Sequence, residues 1–382
     1  MGVDRFDGKE IEYVQEVLAS GRLSGGDFAH RLEAAFAEAY GVKHAIVANS
    51  AMSLLISAWY AAGAGVGDEV VCDPLVQFHA IGALWQNAHP VWADVCADTW
   101  LMDPQSLQAN ITAHTKAACV TNLWGLPAEL DTLRQVADDA GIVLIEDNAH
   151  AMFLPYKGKY AGLWGHIGVF SLCQGKHMTT GDGGIAVTDD DTLADGIRRV
   201  IGFGESPPNL ATVFRMTDLQ AAVGLAQLER VRSYIAEYQK SYAQLVAVVN
   251  ECAWLQARAI REGCGNSPYI FSCLFRGDEH GVDAEAFKAA LFETGDTWNV
   301  GFTQVPAYKY KFFQVPVAYQ SKGCPLHGCP YYKGDYEYRD GLCPTAEAIL
   351  PRLVNHNCMI SEDAAKAVAD RLREAIAKAE AG

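Results

Sequence analysis

"KAACVTNLWGLPAELDTLRQVADDAGIVLIEDNAH", residues 116–150, carries the pattern on which the fold turns. "KAACVTNL" is a short apolar run of strand length. "PAELDTLRQVADDAG" has apolar residues at helical spacing, with Pro127 near its first turn and a glycine at its end. "IVLIED" is a second apolar strand, and it runs straight into Glu146, Asp147, Asn148 and His150. Strand, helix and strand of these lengths make a crossover unit, which joins parallel neighbours in one sheet.

The alternation extends in both directions. Upstream, "HAIVAN", "DEVVCD" and "PVWADV" read as strands, with "RLEAAFAEAYG", "SLLISAWYAAG" and "QFHAIGALWQN" as helices between or before them. Downstream, "IGVFSLCQGKH" ends another strand. An α/β fold with a mainly parallel sheet, covered by helices on both faces, is the expectation. A long helical stretch follows from Thr217 to Asn250. Beyond it come a strand, "PYIFSCLFR", and a helix, "DAEAFKAALFETG". An irregular segment over 300–345, rich in Tyr, Pro, Gly and Cys, precedes a terminal amphipathic helix. The expected division is a large α/β domain, 1–245, and a smaller C-terminal α+β domain, 246–382.

Composition narrows the partners. The 382 residues are half hydrophobic and 20% charged, which is a globular rather than a disordered balance. Acidic residues outnumber basic ones, 46 to 30, for a net charge of −16. That charge argues against nucleic acid or an anionic membrane as the main partner, but not against a small anion held by backbone amides. The opening "MGVDRFDGKEIEYVQEV" lacks the apolar core of a signal peptide, and Phe6 breaks the myristoylation pattern despite Gly2. No apolar run approaches the roughly 18 residues of a membrane span. Eleven scattered cysteines suit reduced thiols packed as small hydrophobes. A soluble, cytoplasmic protein is expected.

In such a sheet, ligands collect beyond the carboxyl ends of the strands. Asp147 ends one strand, and Ser171 and Lys176 follow the end of another. Alone, the lysine could be a surface cation and the aspartate a helix cap. Together they form the pair that pyridoxal phosphate chemistry requires. The amine takes the aldehyde as a Schiff base, and the acid keeps the ring nitrogen protonated so that the ring accepts electrons. "TTGDGG" (179–184) would hold Lys176 on a short, stiff lead. "VANSAMSLLI" is strand, small-residue turn and helix, so the amides of Ser50, Ala51 and Met52 could cup a phosphate. "DPLVQFHA" offers Phe78 or His79 as a plate for the ring face.

These stretches resemble the DegT/StrS family of pyridoxal-phosphate-dependent sugar aminotransferases, of fold type I. "EDNAHA", "FSLCQGKHMTTGDGGIAVTDD" and "FRMTDLQAAVGLAQLERV" carry the likeness. "LCPTAEAIL" and "LVNHN" bring it nearest to members acting on cyclitol ketones and in aminohydroxybenzoate formation. The resemblance implies Lys176 as the Schiff-base lysine, Asp147 as the partner of the pyridine nitrogen and Phe78 as the stacking residue. Ser171 and the Ser50, Ala51 and Met52 amides would be phosphate ligands, with His150 near the phenolic oxygen. It also implies a homodimer with shared active sites. An amino donor, Glu or Gln, would turn the cofactor into pyridoxamine phosphate, and a ketone of a sugar, nucleotide sugar or cyclitol would take the amine.

Two departures stand out. Family members carry Gly-Thr where this chain has Ser50-Ala51, and Asn where it has Val213. A keto-sugar dehydratase on the same scaffold is the alternative, and such members have His in place of the lysine; here His177 only follows it. A cofactor-binding regulator would need a DNA-binding segment that this acidic chain lacks. "AGAGVGDEVV" ends a helix and precedes a strand, the reverse of a dinucleotide loop. Cys324, His327 and Cys329 are poorly spaced for zinc, and no metal is expected. Tyr308, Tyr310 and His356 are candidate substrate contacts.

Overall fold

The computed structural model describes residues 5–202, 211–315 and 323–381. Along the chain lie β1 (His44–Ala48), β2 (Glu69–Cys72), β3 (His89–Trp92), β4 (Thr115–Thr121) and β5 (Val143–Asp147). A small hairpin follows, β6 (Pro155–Tyr156) and β7 (Lys159–Tyr160), then β8 (Ile167–Ser171) and β9 (Gly184–Thr188). Seven of these make one sheet in the order β1-β9-β8-β5-β4-β2-β3. Neighbours from β3 to β8 pair in parallel, whereas β9 is antiparallel to both β8 and β1. The carboxyl ends of six strands therefore share one rim, and β9 begins there.

Each strand is apolar on both sides because both sides are covered. Ile46 and Ala48 of β1 enter one core, and Ala45 and Val47 enter the other. Ala186 against Ile185 and Val187 repeats the alternation in β9. The first core is closed by helices Ala51–Ala61, Phe78–Trp85, Leu130–Ala140 and Asp191–Ile201. The second is closed by Glu10–Ser20, Asp27–Tyr40 and Asp218–Leu228. This two-sided burial is why the strands read as continuous apolar runs.

Two elements differ from the sequence expectation. The helix after β4 starts at Leu130, past Pro127, because a tight turn over Leu123–Gly125 intervenes. Gly125 (φ 84) lies so close to the Ser267 carbonyl that a Cβ would fall 1.7 Å from its oxygen. The helical stretch from Thr217 is two helices, Asp218–Leu228 and Val231–Glu251. Glu229 and Arg230 at the break are drawn toward the N-terminal segment. Tyr13 donates to Glu229 at 2.6 Å, and Arg230 pairs with Asp7.

The second sheet, order β10-β11-β13-β12, comprises β10 (Leu255–Ala257), β11 (Ile270–Phe275), β12 (Asn299–Val300) and β13 (Leu353–Asn357). A third core packs it against helices Ala284–Glu293 and Glu362–Ala381. Helix Val231–Glu251 is shared: Tyr234 and Tyr238 lie in the second core, Tyr242 and Leu245 in the third. Part of the irregular segment covers edge strand β3. Tyr338 donates to the Pro90 carbonyl at 2.7 Å, the Trp92 N–H donates to the Tyr336 hydroxyl at 3.0 Å, and Tyr332 stacks on His89. Such cover blocks a free sheet edge from pairing with another chain. Among the described residues, no helix is long and apolar enough to cross a membrane.

Candidate active site

At the shared rim lies a cavity of about 390 Å³. β5 delivers Asp147 to its wall. The carboxylate is buried, and its Oδ1 accepts the Ala149 N–H at 2.9 Å. Burial pushes this carboxyl up, while the charge of His79, the Ala149 N–H and the Lys176 ammonium hold it down. Glu146, one residue earlier, faces the other way, as strand alternation demands. It accepts the N–H groups of Gly162, Trp164 and Gly165 at 2.7, 2.8 and 2.6 Å, so it organises a loop rather than the cavity.

His150 also lines the cavity. Its Nδ1 accepts the Trp124 N–H at 3.4 Å, which leaves the ring proton on Nε2. Burial drives its pKa well below the ordinary value, and the Lys176 charge adds to that. The imidazole is neutral and offers one donor.

Ser50 caps helix Ala51–Ala61. Its backbone is extended, and its Oγ accepts the Ser53 N–H at 3.1 Å. With the hydroxyl so engaged, the cavity wall meets the first turn, where the N–H groups of Ala51 and Met52 have no intrahelical acceptor. Gly184 makes this approach possible, since a Cβ there would sit 2.6 Å from the Ala51 nitrogen. Phe78 opens its helix at the cavity, 50% exposed. His79 is fully buried with Nε2 3.3 Å from Asp73, so Phe78 is the one of the two placed to cover a ligand.

β8 ends at Ser171, whose Oγ accepts the Cys173 N–H at 3.3 Å. The chain then turns, with the Lys176 N–H on the Cys173 carbonyl at 3.0 Å. Lys176 enters the cavity wall and its Nζ lies 4.4 Å from the centre of the Tyr269 ring. Burial lowers the amine to about 8, against the pull of Asp147 and Cys173. His177 turns away: it is buried, with Nε2 3.0 and 3.1 Å from the Pro268 and Ser267 carbonyls.

Eight of the residues picked from the sequence thus surround one cavity: Ser50, Ala51, Met52, Phe78, Asp147, His150, Ser171 and Lys176. The three substrate candidates lie elsewhere. Tyr308 is wholly buried in the first core, donating to Glu347 at 2.6 Å and accepting the Cys343 N–H at 3.2 Å. Tyr310 packs against the same core. His356 sits in β13 against Trp298, with Nδ1 2.8 Å from the Asn357 carbonyl. Their aromatic, chemically suggestive segments are packing surfaces here. His327 turns its Nε2 to the Phe313 carbonyl at 2.9 Å.

Sequence reasoning missed Thr121 and Tyr269. Thr121 pairs with Asp147 across the strands and lines the cavity, with a buried Oγ that has no hydrogen-bond partner among the described residues. Its place at the end of an apolar strand was the available signal. Tyr269 immediately precedes β11 of the second sheet, and nothing local marked it.

The DegT/DnrJ/EryC1/StrS aminotransferase family model matches residues 4–373. GDP-perosamine synthase of Caulobacter vibrioides is 38% identical over 62% of this chain and 66% of its own length, just under two thirds. The spore coat polysaccharide biosynthesis protein SpsC of Bacillus subtilis is 31% identical over 85% of this chain and 87% of its own. The crystal structure of 3-amino-5-hydroxybenzoic acid synthase superposes with a TM-score of 0.82 at 24% identity, covering 99% of this chain and 98% of that one. The architecture is that of the fold type I transferases. With its family pattern running almost end to end on that architecture, this chain belongs to the DegT/DnrJ/EryC1/StrS aminotransferase family.

Proposed function

We propose that the protein transfers an amino group from glutamate or glutamine to the keto group of a sugar, with pyridoxal phosphate as cofactor. The observation that carries this reading is the meeting of Lys176 and Asp147 in one cavity, beside the N-terminus of helix Ala51–Ala61. The cavity suits the group in its donor set: an amine for the aldehyde, an acid for the ring nitrogen, amides for the phosphate, and an exposed Phe78 ring. Bound there, the cofactor supplies an electron sink for the donor's α-carbon.

The chain's own residues do the rest. Lys176 would hold the cofactor through its Nζ and would carry a proton on that amine when free of it. An amine lowered to about 8 is roughly a tenth neutral at pH 7, far more than an ordinary lysine, and that work needs the neutral form. Asp147 holds the ring-nitrogen proton as an ion pair in a water-poor setting. The amides of Ala51 and Met52, with Ser171, bind the phosphate without any net basic charge. His150, with its proton on Nε2, would offer the cofactor ring one hydrogen-bond donor. The relatives named GDP-perosamine synthase favour a nucleotide-linked keto sugar over a free sugar or cyclitol. A lysine at 176, with His177 turned into the core, favours amino transfer over dehydration.

A second copy would complete the site. Exposed Phe78 at the rim and exposed Trp85 on the same helix support a homodimer with shared active sites, as does Val213 at 57% exposure. The deciding experiment is borohydride reduction after adding pyridoxal phosphate, followed by peptide mapping. Label on Lys176 is expected; label on another residue would refute the assignment.

A further inference from the structure

Resting on that reading, we propose that Tyr269 is a positioning residue for the Lys176 amine, its ring being the platform on which the protonated amine rests. The Nζ-to-centroid distance of 4.4 Å lies inside the ~6 Å reach of a cation–π contact. The ring is fixed. It stacks on His150 at 4.5 Å and 19°, and the His177 ring lies 6.0 Å away. The backbone leading to it is fixed as well. Ser267 donates its N–H to Gly125 at 2.8 Å, and His177 holds the Ser267 and Pro268 carbonyls from the loop that carries the lysine. Lys176 and its platform are therefore tied to each other through residues 267–269, although they come from different sheets.

The chemistry needs such a surface. A lysine that takes up and returns a proton must be steadied while charged, in a place that offers little water. A carboxylate alone would hold the ammonium in a deep ion pair and compete for the proton. A phenyl face attracts the cation yet cannot accept the proton. Among the described residues, the titratable and charged groups around the amine are Asp147, Cys173 and Asp182 in the cavity lining, the neutral His150 and His177, and Arg5. The Arg5 guanidinium donates to the Gln174 and Lys176 carbonyls, so it bears on the loop's backbone.

The test titrates Lys176 in the full-length chain freed of cofactor. The rate of acetylation by acetic anhydride is followed peptide by peptide against pH, for the parent, Tyr269→Phe and Tyr269→Leu. The parent midpoint should fall at about 8. Tyr269→Phe keeps the ring and should leave the midpoint in place. Tyr269→Leu removes the platform for the charged form, so the midpoint should drop by roughly one pH unit. A Leu midpoint that stays or rises would overturn the proposal, as would a Phe midpoint that drops as far as Leu's. Should the Leu variant fail to fold, Tyr269→Met supplies the same comparison with an unbranched apolar chain. Borohydride trapping of pyridoxal phosphate on each variant separates the two ideas. Trapping away from Lys176 in the parent sinks the functional reading, and trapping on Lys176 with an unshifted Leu midpoint sinks only the platform.

Discussion

Asp147 and Lys176 share a cavity whose burial moves both toward their neutral forms, the acid upward and the amine downward. The consequence for the amine has a definite sign. A pKa lowered from 10.5 to about 8 leaves Lys176 neutral, and thus nucleophilic, at a lower pH than an exposed lysine. Capture of pyridoxal phosphate, followed by absorbance in rapid mixing, should rise about tenfold per pH unit below 8 and level off above it. A rise continuing to pH 10 would mean the amine is hydrated. Asp147→Asn removes the negative charge while keeping the shape, since the Asn oxygen can still accept the Ala149 N–H. Loss of a preorganised electrostatic partner costs on the order of 10²–10³ in rate, and single-turnover conversion with glutamate should fall by that factor. Ring-nitrogen contact by some other group would leave the rate unchanged.

At the scale of elements, the site is a set of strand ends, and most of it was legible for that reason. Apolar runs broken at Asn49, Asp147 and Ser171 mark where buried strands meet the rim, and the polar residue at each break has to face something. Glu146 shows the limit of that reasoning: it shares the break with Asp147, but strand alternation sends it to three backbone amides on the other side. Tyr308 and His356 show another, because a tyrosine in an aromatic run and a histidine in a polar one look alike whether they serve a ligand or a core. Tyr269 was hidden because its meeting with Lys176 depends on how two sheets dock, which no local pattern encodes. Gly184 of β9 lies tight against the start of helix Ala51–Ala61, where an added Cβ would meet the Ala51 nitrogen at 2.6 Å. Neither neighbour there is a flexible side chain, so Gly184→Ala must push the helix N-terminus off the rim. Cofactor affinity, read by fluorescence titration, should weaken at least ~10-fold, a cost of about 1.4 kcal/mol, with secondary structure retained.

Across the whole molecule, the two sheets are joined near the site by a buried cation. Arg258, just beyond β10, is 5% exposed and reaches back to Thr99 and Leu123 beside the first sheet. Its Nε and Nη2 donate to the Thr99 carbonyl at 3.0 and 2.7 Å, and its Nη1 donates to the Leu123 carbonyl at 2.8 Å. The guanidinium sits 5.2 and 5.6 Å from the Trp100 and Trp124 ring centres. Burial lowers it to about 10, so it stays charged at neutral pH, with two carbonyls and two π faces as its company. The strap matters to the site because Trp124 donates its N–H to His150, and its carbonyl accepts the Tyr269 N–H at 3.4 Å. Arg258→Ala leaves the buried Thr99 carbonyl without its side-chain donor, leaves the Leu123 carbonyl with only the Leu126 N–H at 3.4 Å, and removes the cation beside the two indoles. An unsatisfied buried group costs about 1–3 kcal/mol, so unfolding in urea should occur with ~1–3 kcal/mol less stability. Arg258→Lys keeps the charge but not the planar fork, and a compact ammonium cannot reproduce the three N–H contacts to Thr99 and Leu123 together with both indole contacts. It should therefore recover only part of the loss. Full recovery by lysine would show that charge alone, rather than the fork, holds the sheets together.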